Sequence, residues 1–485
     1  MSLLDLDVWQ GRIFSGGWVN GGGGDAPVLE PATGAQLARA GRADPDDVSR
    51  AAERAAQAQP GWAAQPYLAR AAVLRTAGQL FTEHAQEIAD WLVRESGAVR
   101  PFAEFQTQVA AEECFAAAAL AAEPYGQLLR SALPRLSFAR QVPVGVAGVI
   151  APFNAPIVLA IRAIAPALAL GNAVLCKPDP RTAVSGGVVF ARLFEEAGLP
   201  EGLLHVLPGD AAVGAAVVEA PEVAVIAFTG STQAGRKVAE LAARNLKRTH
   251  LELGGNSALI VLDDADLDAA VSAGAFGSFN HAGQICMATS RHLVHHAIAD
   301  DYARILAAHA DKLPVGDPTG PVAVGPIIDE AQRDHVHELV TDSVSAGAAL
   351  VTGGTYEGLF YRPTVLADVT PEVPAFSAEI FGPVAPVTPF SDLDEAVRLA
   401  TASPYGLSLG ILTRDVMAGL ALAERIPTGL VHINDQTVND EATIPFGGVG
   451  DSGTGSRHGT NEANLDAFTE TQWVTVRSDI APYPF

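Results

Sequence analysis

Residues 223–245 read VAVIAFTGSTQAGRKVAELAARN. A short apolar run, Val223 to Phe228, meets a turn of threonine, glycine and serine, and a helical pattern follows from Thr232 to Asn245. A strand that is apolar on both faces needs cover on both faces, which points to a parallel sheet flanked by helices. The same style recurs outward from this stretch. Upstream, strands are expected at Val144–Ile150, Ala173–Lys177 and Leu203–Leu207, with a helix through Phe190 and Phe194 between the last two. Downstream, a strand at Ala258–Leu262, a helix near Ala265–Phe279 and a strand at Leu293–His296 repeat it. This alternation predicts an α/β fold of parallel βαβ units. From Asp44 to about Ala122 the pattern is helical, and Pro124 ends it.

Composition sets the outer bounds. A chain of 485 residues is too long for one core, so about two or three domains are expected. With 48% hydrophobic and 18% charged residues it is globular. The net charge of −24 repels polyphosphate backbones and anionic lipid, so neither nucleic acid nor membrane is expected as a partner. Three widely spaced cysteines, Cys114, Cys176 and Cys286, argue against a disulfide framework and for a reducing, cytoplasmic setting. Met1 to Asn20 lacks the basic and apolar runs of a secretory signal. The most apolar region, Val144 to Cys176, is broken by Pro152, Asn154, Pro156, Arg162, Pro166 and Asn172, so it reads as a buried core rather than a membrane span.

Several segments can carry chemistry. Gly230 and Ser231 open the helix after the first strand, where backbone N–H groups and the helix dipole favour a phosphate. An ordinary tight turn is the competing reading, and the segment departs from the G-x-G-x-x-G fingerprint. Glu252 lies in an apolar segment before Gly254 and Gly255. Burial there would raise its pKa and make it a base near neutrality, unless a lysine such as Lys247 pairs with it. Cys286 follows a Gly-Gln turn, a setting compatible with a nucleophile, whereas Cys114 and Cys176 sit in apolar contexts that read as core. Asn154 follows a strand in a loop stiffened by Pro152 and Pro156, and a neutral amide there suits an oxyanion. His335 and His337 are spaced so that a helix splits them, which argues for a solvated face and against a metal. His295 and His296 are expected on opposite sides of a strand.

Taken together, the order of these pieces resembles the aldehyde dehydrogenase superfamily along nearly the whole chain. The matching segments are Pro152-Phe153-Asn154, Lys177-Pro178, Phe228-Thr229-Gly230-Ser231-Thr232, Leu251-Glu252-Leu253-Gly254-Gly255, Gly283-Gln284-Ile285-Cys286, Glu379-Ile380-Phe381-Gly382-Pro383-Val384 and Pro445-Phe446-Gly447-Gly448. The resemblance implies NAD(P)-dependent oxidation of an aldehyde to an acid. Cys286 would attack the carbonyl, and Asn154 and the Cys286 backbone N–H would hold the oxyanion. Glu252 would activate the water that hydrolyses the thioester. It further implies a cofactor, NAD or NADP with NAD favoured, held by Ile150, Phe153, Lys177, Gly209, Phe228, Gly230, Ser231, Leu253, Glu379 and Phe381. The implied architecture is a Rossmann-like nucleotide-binding domain (1–122 and 143–252), a catalytic domain (253–440) and a small β arm (123–142 and 470–485) that makes a homodimer or homotetramer.

The stretches Lys177–Thr182 and Gln284–Met287 look most like the benzaldehyde and vanillin dehydrogenase branch, which implies an aromatic aldehyde. Ala155, small and next to Asn154, leaves room for a ring. Arg162 on the same segment, were it to face the pocket, would favour an anionic semialdehyde. Aliphatic aldehydes are a further alternative, and a catalytically silent binding protein on the same fold a remote one. Two departures stand out. Pro180, beside Arg181, occupies a position where many NAD-preferring members carry a carboxylate, which leaves NADP open. His281 stands where asparagine is usual, with packing as its expected role.

Overall fold

The computed structural model describes residues 2–485. Val223–Thr229 pairs in parallel with Val146–Ile150 on one side and Arg248–Glu252 on the other. The sheet continues through Ala173–Lys177 and Leu204–Val206, also parallel, and ends in Arg12–Ser15 and Trp18–Asn20, which run antiparallel. From Val146–Ile150 the chain winds outward through two strands, then crosses back to Val223–Thr229 on the opposite flank. The strand order therefore reverses between these two neighbours. In open α/β sheets the crevice beyond the carboxyl ends at such a reversal is where ligands bind.

The apolar stretch that raised the membrane question becomes strand, helix Pro156–Ala169 and strand, almost wholly buried. Among the described residues no helix is long and apolar enough to cross a membrane. The long N-terminal helical pattern divides into Pro45–Ala63, Tyr67–Glu83, Ala85–Ser96 and Arg100–Leu120. Gly97, at φ 73°, ends the third of these in a left-handed turn, and Pro101 opens the fourth in its first turn. The fourth packs along Pro156–Ala169.

A second sheet runs in the order Ala349–Thr352, Thr364–Ala367, Val384–Phe390, Thr289–His295, Ser257–Val261, Ser408–Leu412, Leu430–Ile433, parallel except for its first pair. A separate antiparallel sheet joins Gly126–Leu128, Leu136–Pro143 and Thr469–Val476. Residues after the second sheet return to the first: the Leu253 amide donates to the Ser452 carbonyl at 2.9 Å, and Phe468 packs in the first core.

Two local expectations are corrected. The helix expected through Phe190 starts as a 3-10 turn, Pro180–Thr182, and a π-turn, Val184–Val188, before Val189–Glu196. The cause is buried Glu95, which accepts from the amides of Val184 at 2.9 Å and Ser185 at 2.7 Å. His295 and His296 do not share a strand. His295 ends one and caps the helix His296–Ala310, and the two rings lie 4.5 Å apart.

Candidate active site

Cys286 follows a short 3-10 helix, Asn280–Gly283, in which His281 and Ala282 take left-handed angles of φ 49° and 53°. Histidine and asparagine are among the side chains that tolerate this region, which accounts for histidine where the family pattern has asparagine. Its ring is buried 4.8 Å from the Phe102 ring, and burial holds it down at about 4, so it is neutral. Opposite lies the turn Gly254-Gly255. A Cβ on Gly255 would sit 2.1 Å from the Cys286 carbonyl oxygen, and one on Gly254 would sit 2.2 Å from the Glu379 carboxylate. Only glycine permits both approaches. The two residues let the nucleophile loop and Glu379 close on the end of the Arg248–Glu252 strand.

Two cavities meet at this loop. One, of about 450 Å³, follows the sheet reversal, and the other, of about 400 Å³, lies on the far side. Cys286, Asn154 and Leu159 line both. Cys286 is half-buried, and its thiol is pushed up to about 12 by burial and then by the negative charges of Glu379, Glu252 and Asp440. Asn154 sits after the Val146–Ile150 strand, one residue before the Pro156–Ala169 helix begins at its cap, and it is 4% exposed. Among the described residues no hydrogen bond engages its side-chain amide, which leaves both N–H donors free for an oxygen held at Cys286.

The larger cavity carries the charge. Ile150, Phe153, Lys177, Phe228, Gly230, Ser231, Leu253, Glu379 and Phe381 all line it. Ser231 caps the helix Thr232–Arg244, its hydroxyl accepting from the Ala234 amide at 3.3 Å. The Gly255 amide donates to Glu379 at 2.9 Å, and burial lifts that carboxyl to about 7. Desolvation lowers the Lys177 pKa. Phe381 holds a left-handed angle, φ 53°, and its ring meets Phe153 edge-on at 6.0 Å. Such backbone strain concentrates at functional sites. A lysine, a carboxylate, a capped helix start and apolar ring faces form a donor set that fits a nicotinamide dinucleotide. Arg181 also lines the wall, stacked 4.2 Å over Phe153, but Asp179 at 2.9 Å and Asp329 at 2.6 Å hold its guanidinium. Gly209 falls outside this lining, where its backbone lies against Val213.

The second cavity is aromatic and amide-rich. Phe102, Phe105, Phe276, Phe446, Gln106 and Gln436 line it, with Ala155 beside Asn154. None of its lining residues is a lysine, arginine or histidine, and its one carboxylate is Asp440.

Arg162 corrects a sequence expectation. It is absent from the substrate-side lining, and its guanidinium donates to Glu113 at 3.0 Å and to both oxygens of Asp440 at 2.8 and 2.9 Å. Burial alone would lower its pKa, but the two carboxylates more than offset this and keep it charged. It stacks 4.9 Å from the Phe446 ring. An anion in the cavity finds no free cation here.

Glu252 is the one catalytic candidate that lines neither large cavity. It sits behind their shared wall with Arg162, Phe446 and His458, in a space of about 10 Å³, close to what one water needs. Neither carboxylate oxygen has a hydrogen-bond partner. Burial raises its pKa well above the ordinary carboxylate value, only partly offset by Arg457 and Arg162. The lysine considered as its partner, Lys247, instead donates to the Ala220 carbonyl.

Cys114 and Cys176 are fully buried in the first core. His335 lines the larger cavity, while His337 bonds the Tyr361 hydroxyl at 3.2 Å. Sequence reasoning missed Phe102, Phe105, Gln106, Phe276 and Asp440. The i, i+4 spacing of Phe102 and Gln106 marks one helix face, and nothing in the chain shows what that face meets.

Residues 18–474 match the Aldehyde dehydrogenase family. The chain is 64% identical to vanillin dehydrogenase of Amycolatopsis sp., over 100% of both chains. It is 49% identical to the NAD(+) benzaldehyde dehydrogenase of Pseudomonas putida, over 99% of this chain and 98% of that one. In fold it is similar to betaine aldehyde dehydrogenase from Staphylococcus aureus in complex with NAD+, with TM-score 0.95, 27% identity, and 99% and 97% of the two chains covered. An NADP-dependent enzyme of E. coli gives TM-score 0.94 at 31% identity, covering 98% and 100%.

Proposed function

This chain belongs to the aldehyde dehydrogenase family, and from that premise we propose that its substrate is a neutral aromatic aldehyde, oxidised with NAD in preference to NADP. One observation carries the proposal: Cys286 and Asn154 form the common floor of two cavities, one charged and fitted to a dinucleotide, the other aromatic and without a cation.

The chemistry follows from the residues in place. The Cys286 sulfur adds to the aldehyde carbon, and the thiol proton leaves to solvent or to Glu252 as the C–S bond forms. The Asn154 amide and the Cys286 backbone N–H donate to the resulting oxyanion. When bound, the nicotinamide would supply the acceptor for the hydride lost from the substrate carbon. Lys177 and Glu379 would hold its riboses, Gly230 and Ser231 its pyrophosphate, and Phe381 would support the ring. The product at Cys286 is a thioester. Glu252, a carboxylate with a raised pKa and no partner, is suited to take a proton from the water that cleaves it. From its place behind the wall its side chain must turn towards Cys286 to do so. The acid leaves and the thiol is restored.

The aromatic assignment draws on Phe102, Phe105 and Phe276 in the lining and on the relatives that act on vanillin and benzaldehyde. Asp440 on the wall disfavours a substrate carboxylate. NAD preference draws on Arg181: bound by two carboxylates, it has little left for a 2′-phosphate. The exposed side chains Leu128, Leu136, Trp473 and Val476 on the three-stranded sheet support a homodimer or homotetramer assembled there. Free cysteines throughout support a cytoplasmic setting.

The test is initial-rate formation of reduced nicotinamide with benzaldehyde and with propanal, each with NAD and with NADP, beside Cys286→Ala. Benzaldehyde with NAD should be fastest, and the variant inactive. Equal or faster turnover of propanal discards the aromatic assignment. Faster turnover with NADP discards the cofactor assignment.

A further inference from the structure

Gln106 is a fully buried, unpaired polar group on the substrate side. It lies in the helix Arg100–Leu120, one turn after Phe102, and is 0% exposed. Both its amide oxygen and its amide nitrogen lack any hydrogen-bond partner, yet the residue lines the same cavity as Cys286 and Asn154. Of the other polar side chains of that wall, Asn154 is left for the oxyanion at Cys286 and Asn280 is only half-buried, while the rest are engaged. Gln436 donates to the Val438 carbonyl at 2.9 Å, Asn439 to Asp435 at 3.0 Å, and Asp440 accepts from Arg162 through both oxygens. One turn further along the helix, Val109 packs with Val158 and Ala442.

A buried amide with neither donor nor acceptor used is costly, and buried polar groups as a rule find partners. An idle one in the wall of a binding cavity marks a place where the ligand, met by a turn of the side chain towards it, completes the bonding. We infer that Gln106 is a specificity-determining residue that recognises a hydroxyl on the ring of the aromatic aldehyde. A hydroxyl both donates and accepts, which matches the carbonyl oxygen and NH₂ of one amide. A carboxylate would satisfy only the NH₂ and would meet the Asp440 charge on the same wall. The inference rests on the aromatic assignment above and deepens it: the substrate class becomes hydroxylated aromatic aldehydes.

The test compares kcat/KM for 3-hydroxybenzaldehyde, 4-hydroxybenzaldehyde and benzaldehyde in the wild-type enzyme and in Gln106→Leu and Gln106→Ala, with NAD. Electronic effects of the hydroxyl cancel when each hydroxyl-to-benzaldehyde ratio is compared between enzymes. For at least one of the two isomers the ratio should fall by about 10- to 100-fold in Gln106→Leu, whatever the change in benzaldehyde turnover itself. The wild-type enzyme alone should prefer that isomer to its fluorinated analogue, so the inference is testable even if both variants fail to fold. Ratios unchanged for both isomers, or no wild-type preference, overturn it. A wild-type enzyme that oxidises propanal and none of the aromatic aldehydes overturns the aromatic assignment and this inference with it, a result distinct from unchanged ratios among active aromatic substrates.

Discussion

The two cavities that share Cys286 are nearly equal in size and opposite in construction. The cofactor side is built from strand ends and the turns that follow them: Ile150 and Phe153 at the end of one strand, Lys177 at the end of the next, Phe228 to Ser231 at the end of a third, Leu253 and Gly254 after a fourth. Each is placed by its own strand, and the parallel register brings the strand ends together. The substrate side is built by packing. Phe102 and Gln106 come from a helix that precedes the parallel strands of the first sheet, Phe276 from a helix that follows them, and Gln436 to Asp440 from a loop after the second sheet. The side that meets an invariant group is made of local geometry, and the side that meets a variable one is made of long-range contacts.

Asn154 stands where the two constructions join, so it gives the largest expected effect. Asn154→Ala should lower kcat/KM for benzaldehyde by about 10²- to 10³-fold, the loss typical of one oxyanion donor. Binding of NAD, followed by quenching of protein fluorescence, should hold within a few-fold. A comparable loss in NAD affinity would move Asn154 to the cofactor side and break the division.

That division also explains what was legible in the sequence. The βαβ alternation could be read because it depends on neighbouring residues with fixed geometry, while Cys286, Glu252 and Asn154 stood out as candidates within short motifs and the cofactor set came from the family resemblance. Gly254 and Gly255 are there because Glu379 and the Cys286 carbonyl come within about van der Waals contact of their Cα atoms. The substrate wall was not legible, since helical spacing gives a face but not its partner. Arg162 shows the limit most clearly. Its place near Asn154 suggested a free cation facing substrate, and only the fold reveals Glu113 and Asp440 already holding it. Gly209 was implied by the family resemblance alone, and the cavity wall does not include it.

Removing Arg162 sharpens the contrast further. Arg162→Ala would leave Glu113 and Asp440 buried without their shared cation, and breaking a buried pair in this way costs about 3–5 kcal/mol. Urea unfolding should show that loss at neutral pH. The refolded variant should keep its NAD affinity while its benzaldehyde KM rises, because Asp440 lies on one wall only. A loss below about 1 kcal/mol would mean that the packing of Phe446 and Leu159, and not the ion pair, holds the substrate wall in place.

The smallest effects of substitution are expected at the sulfur, which feels both sides at once. Burial first, then Glu379, Glu252 and Asp440, push the Cys286 thiol up to about 12 in the cofactor-free protein. A raised acid pKa makes thiolate scarce at neutral pH and more abundant as pH rises. Alkylation by iodoacetamide should therefore climb about tenfold per unit from roughly pH 7 to 9.5 without levelling. Cys114 and Cys176, fully buried, should not compete. Glu379→Gln removes the strongest of the three charges, from the cofactor side, and Asp440→Asn the weakest, from the substrate side. Both should speed alkylation at fixed pH, Glu379→Gln more. A plateau near pH 8.5, the range of an ordinary thiol, would show that the loop supplies donors strong enough to cancel burial. A larger effect from Asp440→Asn would show that the substrate wall, and not the cofactor wall, sets the charge felt by the nucleophile.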